Sequence, residues 1–460
     1  MSSSYSQGSK NASKPPRNNS GQHIPPLFPL PRRQDLNLDD LRGFEPGRLD
    51  LQWITPSQRL DDQFFTEHYA SVASNIKHLV KNLFRCGDLP PDGSVWAATR
   101  KYHGEKFHLE RIVGMVARPD PMDPTPWEDL MTSKAKRFCV MRAVIMLVLE
   151  EQVFSELLFG ATKKQAEQLH AQDSDYCHDG GIRRSRLRST LVEMMLGHSH
   201  GMPQCFWPSV DKVAMRLLTL IFPVLNWVRR TWPPDQDMPD IKTIYQEIHN
   251  CLAYACWFAV HKQRASSVLE FTWLHPGDQY CPDQIELCPA GLQRALAASA
   301  DASSALGSNT QNASPARIAR VMICVVPRLD IIKSVECDGE AVGHTVTTLA
   351  DTRVVYYLGL MDPDADDEVF KWSLMEYSMT LQPKTSLAKR LRAGPLAFRR
   401  FLNELVMRIL AALWLLGILF VIHKFVAQVW QKYDMITSQQ LTALWQQFGI
   451  PERKTTTATI

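Results

Sequence analysis

The sequence predicts a mainly α-helical fold with a smaller antiparallel β region (α+β), a disordered N-terminal tail and one C-terminal hydrophobic helix. Three observations support this. Apolar residues recur at three- and four-residue steps through residues 51–266, which is the period of an amphipathic helix. β-branched residues dominate short runs in residues 267–383, as is typical of strands. Residues 409–422 carry no charged side chain, which indicates a helix that is apolar on every side.

Composition sets the broad class of the protein. The chain has 460 residues, of which 45% are hydrophobic and 22% charged, so it can bury a large core and form two or three domains. A net charge of +3 argues against a surface built to coat nucleic acid. The ten cysteines form no C-x-x-C pair, and no apolar signal segment is visible at the N-terminus. We therefore expect free thiols in an intracellular protein.

The tail is predicted from the first 34 residues, which are rich in Ser, Asn, Gly and Pro and contain no acid. Such a segment buries too little apolar surface to offset its chain entropy. We place the boundary of the disordered tail at residue 50. Its proline-rich stretch, residues 25–33, is interpreted as an extended spacer rather than a ligand for a proline-binding domain.

A helical domain is expected over residues 51–266. Its first helix begins at Asp61 or Asp62, where a side chain can cap the end, and stops near Gly87. A helix that begins near Ser133 and is apolar on almost every side except at Arg142 belongs in the core. The remaining expected features are a proline loop at 119–126 and helices at 209–231 and 239–265.

An α+β region is expected over residues 267–383. The Asp338-Gly339 pair lies between two β-branched runs, a strong hairpin signal. Residues 297–316 are interpreted as a flexible loop, and the acidic run 362–368 as a solvated loop that fails the calcium-loop template because it lacks the required glycine. Strands are expected near residues 267–274, 321–326, 329–332, 344–348 and 353–358.

Residues 384–432 combine a basic stretch with the hydrophobic helix, and 433–460 form a short tail. The uncharged run of fourteen residues is short for a membrane span, which needs about 20. If Arg408 and Lys424 reach toward the interface, residues 405–426 give 22 residues, enough to span. The predicted membrane segment is marked by Leu405, Ile409, Trp414, Gly417, Ile422 and Val426.

The charges around this segment are asymmetric. Its basic flank contains Lys389, Arg390, Arg392, Arg399, Arg400 and Arg408. By the positive-inside rule, the bulk of the chain lies in the cytosol and the short tail crosses an intracellular membrane. The alternative is a core helix in a soluble cytoplasmic or nuclear protein.

One catalytic motif was considered. Residues 197–201 read Gly-His-Ser-His-Gly, a G-x-S-x-G pattern that makes Ser199 a candidate nucleophile of a serine hydrolase. That motif requires a strand before the serine and a helix after it. Residues 186–196 resemble a helix instead, so we do not assign a catalytic residue.

Zinc was considered as well, because five residues of zinc-ligand type lie close together: Cys177, His178, His198, His200 and Cys205. Their spacing matches no structural zinc pattern, so no metal is expected. The chain also contains no P-loop, no G-x-G-x-x-G and no H-E-x-x-H sequence. No cofactor is predicted.

These observations favour a non-catalytic interaction or scaffold protein anchored to a membrane by one C-terminal helix. The expected partners are the lipid bilayer and other proteins, and nucleic acid is not expected. The alternatives are the hydrolase centred on Ser199 and a soluble interaction protein with the apolar helix buried.

Overall fold

The structure is a computed structural model. It describes residues 35–381, except 56–59, 90–93, 104–107, 122, 178–180, 198, 232–238, 290–292, 294–316, 338–339 and 371, together with Leu413, Trp414, Gly417 and Lys424. The chain divides into two compact units, residues 1–381 and 382–460. The described part is mainly helical with two small sheets, an α+β mixture, as predicted.

Eleven helices are described. They are α1 (Asp62–Leu83), α2 (Val95–His103), α3 (His108–Val116), α4 (Pro126–Thr132), α5 (Lys134–Leu149), α6 (Lys163–Asp175), α7 (Gly181–Gly197), α8 (Phe206–Thr231), α9 (Ile241–Gln263), α10 (Pro363–Val369) and α11 (Leu374–Thr380). A π-helical turn, Glu150–Phe154, directly continues α5. Among the described residues, no helix is both long and apolar enough to cross a membrane.

The strands form two three-stranded sheets. They are β1 (Val268–Thr272), β2 (Ile285–Glu286), β3 (Arg317–Val326), β4 (Arg328–Cys337), β5 (Glu340–Ala350) and β6 (Arg353–Leu360). One sheet has the order β1-β4-β5 and is antiparallel throughout. The other has the order β2-β6-β3, in which only the short β2 pairs in parallel. Cys337 lies opposite Glu340, the register expected for the Asp338-Gly339 hairpin.

Helix α5 forms the centre of the first unit. Every residue from Cys139 to Leu149 is buried. The helix packs against α1, α3, α4 and β3. The predicted core helix is therefore confirmed, with Ser133 at its N-cap position, and its Arg137 and Arg142 are buried together with the apolar residues. The predicted N-cap Asp61 is confirmed as well, because its carboxylate accepts a hydrogen bond from the backbone N–H of Phe64.

Part of the predicted disordered tail is ordered. From residue 35 the chain packs on the helices: Leu36 and Leu41 are buried, and the backbone N–H of Leu36 donates to Asn226 over 2.7 Å. Polar contacts to α8 and α9 add to this packing, since Arg230 forms an ion pair with Asp35 and the backbone N–H of Gly47 donates to Gln246. Residues 1–34, and with them the proline-rich stretch, lie outside the described residues.

The predicted proline loop is confirmed for the described residues of 119–125, but Pro126 begins helix α4, which was not predicted; it occupies the first turn, where the missing N–H costs nothing. The prediction for the acidic run was wrong. The acidic run 362–368 is helix α10, capped by Asp362, and Asp366 in it is only 1% exposed. The predicted flexible loop 297–316 lies outside the described residues.

Candidate functional site

Ser199 follows a helix. Helix α7 ends at Gly197, so Ser199 does not stand after a strand as in a nucleophile elbow. Its hydroxyl donates to the carbonyl of Leu196 over 3.2 Å, and the backbone N–H groups of Ser199 and Gly201 donate to the same oxygen. These bonds, with positive φ at His200 and Gly201, form a helix-ending turn. The hydrolase interpretation stays a prediction without support from this geometry.

The candidate zinc ligands are not assembled in the described structure. Cys177 is exposed and Cys205 is half-buried, and His178 and His198 lie outside the described residues. No group of three potential ligands occurs within the part of the chain that is described. All nine cysteines described there are free thiols, several of them buried, as predicted.

Four residues of the C-terminal segment are described. Leu413, Trp414, Gly417 and Lys424 are helical and exposed, with 59% of Leu413 and 72% of Trp414 accessible. The other members of the predicted membrane segment (Leu405, Ile409, Ile422 and Val426) and the whole basic flank (Lys389, Arg390, Arg392, Arg399, Arg400 and Arg408) lie outside the described residues.

The most distinctive site in the first unit is built at the end of α5. There the helix changes to the π-helical turn Glu150–Phe154. A π turn inserts one residue into the helical ladder and is often found at functional sites, because it re-aims side chains. It places Glu150, which is half-buried, against Trp273, whose indole N–H donates to the carboxylate.

The environment of Glu150 disfavours its charge. Burial raises the pKa of Glu150, against the opposing effects of the Trp273 hydrogen bond and the charge of Lys262. Lys262 itself does not pair with the carboxylate. Its ammonium donates to the carbonyl of Phe154 over 3.0 Å and lies 5.4 Å from the ring centre of Phe271. Burial lowers the pKa of Lys262 to about 8.

Glu150 lies on the wall of a cleft of about 770 Å³. The cleft is formed by the end of α3, the start of α4, the π-helical turn, the loop after β1 and the connection from α10 to α11. Its lining is largely apolar and includes three aromatic side chains, Trp127, Trp273 and Phe370. This volume lies in the range of pockets that bind small molecules, about 300–1,000 Å³.

The positive charge of Arg118 in the cleft is already paired with carboxylates. Arg118 lines the cleft and forms ion pairs with Asp366, at 3.0 Å, and with Asp367. Its guanidinium carbon lies 4.8 Å from the ring centre of Phe370. Asp366 is held by further hydrogen bonds, from the hydroxyl of Tyr357 over 2.6 Å and from the backbone N–H of Leu360 over 2.9 Å. This network fixes α10 against the sheet and leaves the cleft without net positive charge.

None of these residues belongs to a motif that the sequence alone reveals. The only signal was the abrupt appearance of two acids, Glu150 and Glu151, directly after a run of apolar residues that must be buried. Acidic residues at that point are either exposed where the buried part of the helix ends or buried within the core, and the sequence alone does not distinguish these two cases. Trp273 and Arg118 come from distant segments, so their contact with the site depends on the fold.

Comparison with known proteins gives no relatives. No family model matches the chain, and no curated protein and no solved structure is significantly similar to it.

Proposed function

We propose that this chain is a non-catalytic interaction protein held on an intracellular membrane by a helix spanning residues 405–426. The observation that carries the proposal is the uncharged run of residues 409–422, ILAALWLLGILFVI, with further apolar residues on both sides. In lipid, a helix satisfies its own backbone hydrogen bonds and needs no polar face, which is what this run offers.

The exposure of the described residues in this run supports the proposal. Leu413 and Trp414 are helical and largely accessible. A large apolar surface in water is unfavourable by roughly 25 cal/mol for each Å². Lipid contact removes that cost.

The basic flank sets the proposed orientation. Six cationic residues from Lys389 to Arg408 precede the uncharged run 409–422, whereas only Lys424 and Lys432 follow it closely. Cationic residues next to a span remain on the cytosolic side, where they also face anionic lipid headgroups. The first compact unit therefore lies in the cytosol, and residues 433–460 lie beyond the membrane.

Exposed apolar side chains on the first unit support an interaction role. Trp372 is 52% exposed, and Met375 and Met379, one helical turn apart on α11, are accessible too. Apolar side chains grouped on a surface are typical of sites that contact other proteins. Methionine suits such surfaces because its side chain is flexible and polarizable.

Alkaline extraction of membranes tests the proposal. We expect the full-length chain to remain in the membrane pellet and a chain lacking residues 401–460 to become soluble. Release of the full-length chain by alkali contradicts the proposal. Aggregation of the shortened chain instead supports the alternative in which the apolar helix is buried in the fold.

The hydrolase alternative is tested separately on the purified protein. An active-site serine probe that labels the wild type but not Ser199→Ala would contradict the non-catalytic role. We expect no difference in labelling between the two proteins.

A further inference from the structure

We propose that the cleft beside the π-helical turn is a binding site for a small organic cation, with its ammonium group at Glu150 and its apolar body against Trp127, Trp273 and Phe370. The proposal concerns the first compact unit alone. It does not depend on the membrane span, so either can fail without the other.

The first argument is the uncompensated carboxylate. Glu150 is half-buried in a largely apolar wall, and its described hydrogen-bond partner is the indole N–H of Trp273. A carboxylate removed from water is unfavourable unless it is paired with a cation or hydrogen-bonded on both oxygens. Within the described residues, no cationic side chain forms an ion pair with it: the charge of Lys262 acts on Glu150 from a distance, but its ammonium donates to the carbonyl of Phe154. A bound cation would supply the missing charge.

The second argument is the balance of charge in the cleft. Among the described residues of the lining, Glu150 and the exposed Glu151 are acidic, and the cation, Arg118, is neutralised by Asp366 and Asp367. The hydroxyl groups on the wall, those of Ser155 and Ser373, are uncharged. An anion therefore meets net repulsion in this cleft, and a cation meets net attraction.

The third argument is the aromatic lining. Aromatic ring faces attract cations, most strongly for tryptophan, and the attraction increases when water is excluded. Trp127 is only 3% exposed, and Trp273 and Phe370 are half-buried, so their positions are fixed by packing before a ligand arrives. The indole of Trp127 also donates to the carbonyl of Trp372 over 3.0 Å, which holds the ring in place. A preorganised site of this kind loses little entropy on binding.

The volume limits the size of the ligand. A cleft of about 770 Å³ accepts a molecule of drug size, with room for an aromatic or branched aliphatic body beyond the ammonium group. The exposed Met115 and His275 lie on the same lining, so the cleft opens to solvent there.

Three probes that share a phenylethyl group and differ in the charge of the head group test the inference. They are 2-phenylethylammonium, 2-phenylethanol and 3-phenylpropionate, titrated into the full-length protein in detergent and followed by ligand-observed NMR against a detergent blank. We expect the cation to bind at least ten times more tightly than the alcohol, and the anion to bind most weakly. Equal binding of cation and alcohol would overturn the inference.

The Glu150→Gln variant identifies the group responsible. It keeps the shape of the side chain and an acceptor for the Trp273 indole but removes the charge. We expect the preference for the cation over the alcohol to disappear, while Glu156→Gln, an exposed acid just beyond the π-helical turn, retains it. A thermal melt of each variant confirms that it is folded. An unchanged preference in folded Glu150→Gln would refute the assignment.

Discussion

At the scale of the residue, Arg137 and Glu150 show two ways in which buried charge is held near α5. Arg137 is fully buried, and its guanidinium donates to the carbonyls of Met131 and Cys86 and to two more, those of Thr132 and Gly87. Glu150 has no comparable set of partners, and burial raises its pKa. The Arg137 guanidinium holds several segments of the fold together through its hydrogen bonds. The charge of Glu150, in contrast, is unfavourable to the free protein and suited to a ligand.

Replacing Arg137 by Met should be strongly destabilising, since it removes a donor from four carbonyls, of which that of Thr132 still accepts from the backbone N–H of Leu89. Each unsatisfied buried group costs about 1–3 kcal/mol, so we expect the free energy of unfolding to fall by about 3 kcal/mol or more. Urea denaturation measures this. Arg42→Met is the matched control, because the side chain of Arg42 is 84% exposed and its ion pair with Asp39 contributes little. Equal effects of the two substitutions would contradict the structural role of Arg137.

Replacing Glu150 by Gln should stabilise the protein at neutral pH. The raised pKa means that the folded state binds the proton of Glu150 more tightly than the unfolded state. Wild-type stability is therefore lost as pH rises from the ordinary carboxyl pKa through the raised one. Glutamine does not titrate, so the variant avoids this loss.

Thermal melts at two pH values check this result. Glu150→Gln should melt above the wild type at pH 7 and close to it at pH values below the ordinary carboxyl pKa. Glu156→Gln, with its exposed side chain, should melt like the wild type at pH 7. A lower melting temperature for Glu150→Gln than for the wild type at pH 7 would show that the carboxylate stabilises the fold.

At the scale of the element, the predicted helices and strands that matched the structure have strong periodicity. Helix α5 and strands β3 and β4 carry long runs of apolar or β-branched residues, so local pattern and tertiary packing agree. The elements that prediction missed are short or polar. Helix α10 is acidic throughout, and it is held by the burial of Asp366 against Arg118, a contact made 248 residues apart that no local pattern contains.

The candidate site could not be predicted from the local sequence pattern either. Its Glu150 meets Trp273, which lies 123 residues further along the chain, and its cleft is lined from five separate parts of the chain. The sequence contains the acids and the aromatic residues. It does not show that they meet, because spacing along the chain carries no information about contacts between distant segments.

The turn after the π helix depends on Gly160. Its φ is +75°, and a Cβ there would lie 2.8 Å from the Cα of Phe206 at the start of α8. Gly43 has the same φ, with nothing within 4 Å of the added carbon. Gly43→Ala should cost about 1 kcal/mol through backbone strain alone. Gly160→Ala should cost about 2 kcal/mol more, because the contact is with rigid backbone.

Chemical denaturation of the two glycine variants measures the difference. A larger loss for Gly160→Ala than for Gly43→Ala confirms that the chain after the π-helical turn lies directly on α8. Equal losses would show that the two segments are further apart than the structure has them.

At the scale of the whole molecule, the chain consists of a compact first unit, residues 1–381, and a second unit, residues 382–460. The predicted helical domain and α+β region both belong to the first unit, where α5 packs on β3 and α1 on β5. The second unit contains the basic flank and the proposed span. This division suits a cytosolic body attached to a membrane segment.

Protease protection in sealed membranes tests the proposed span most directly. A tag is placed after Ile460, and protease is added from the cytosolic side. We expect the first unit to be digested and a tagged C-terminal fragment to be protected until detergent opens the membrane. Digestion of the tag in sealed membranes, at the same rate as the first unit, would contradict a span through residues 405–426.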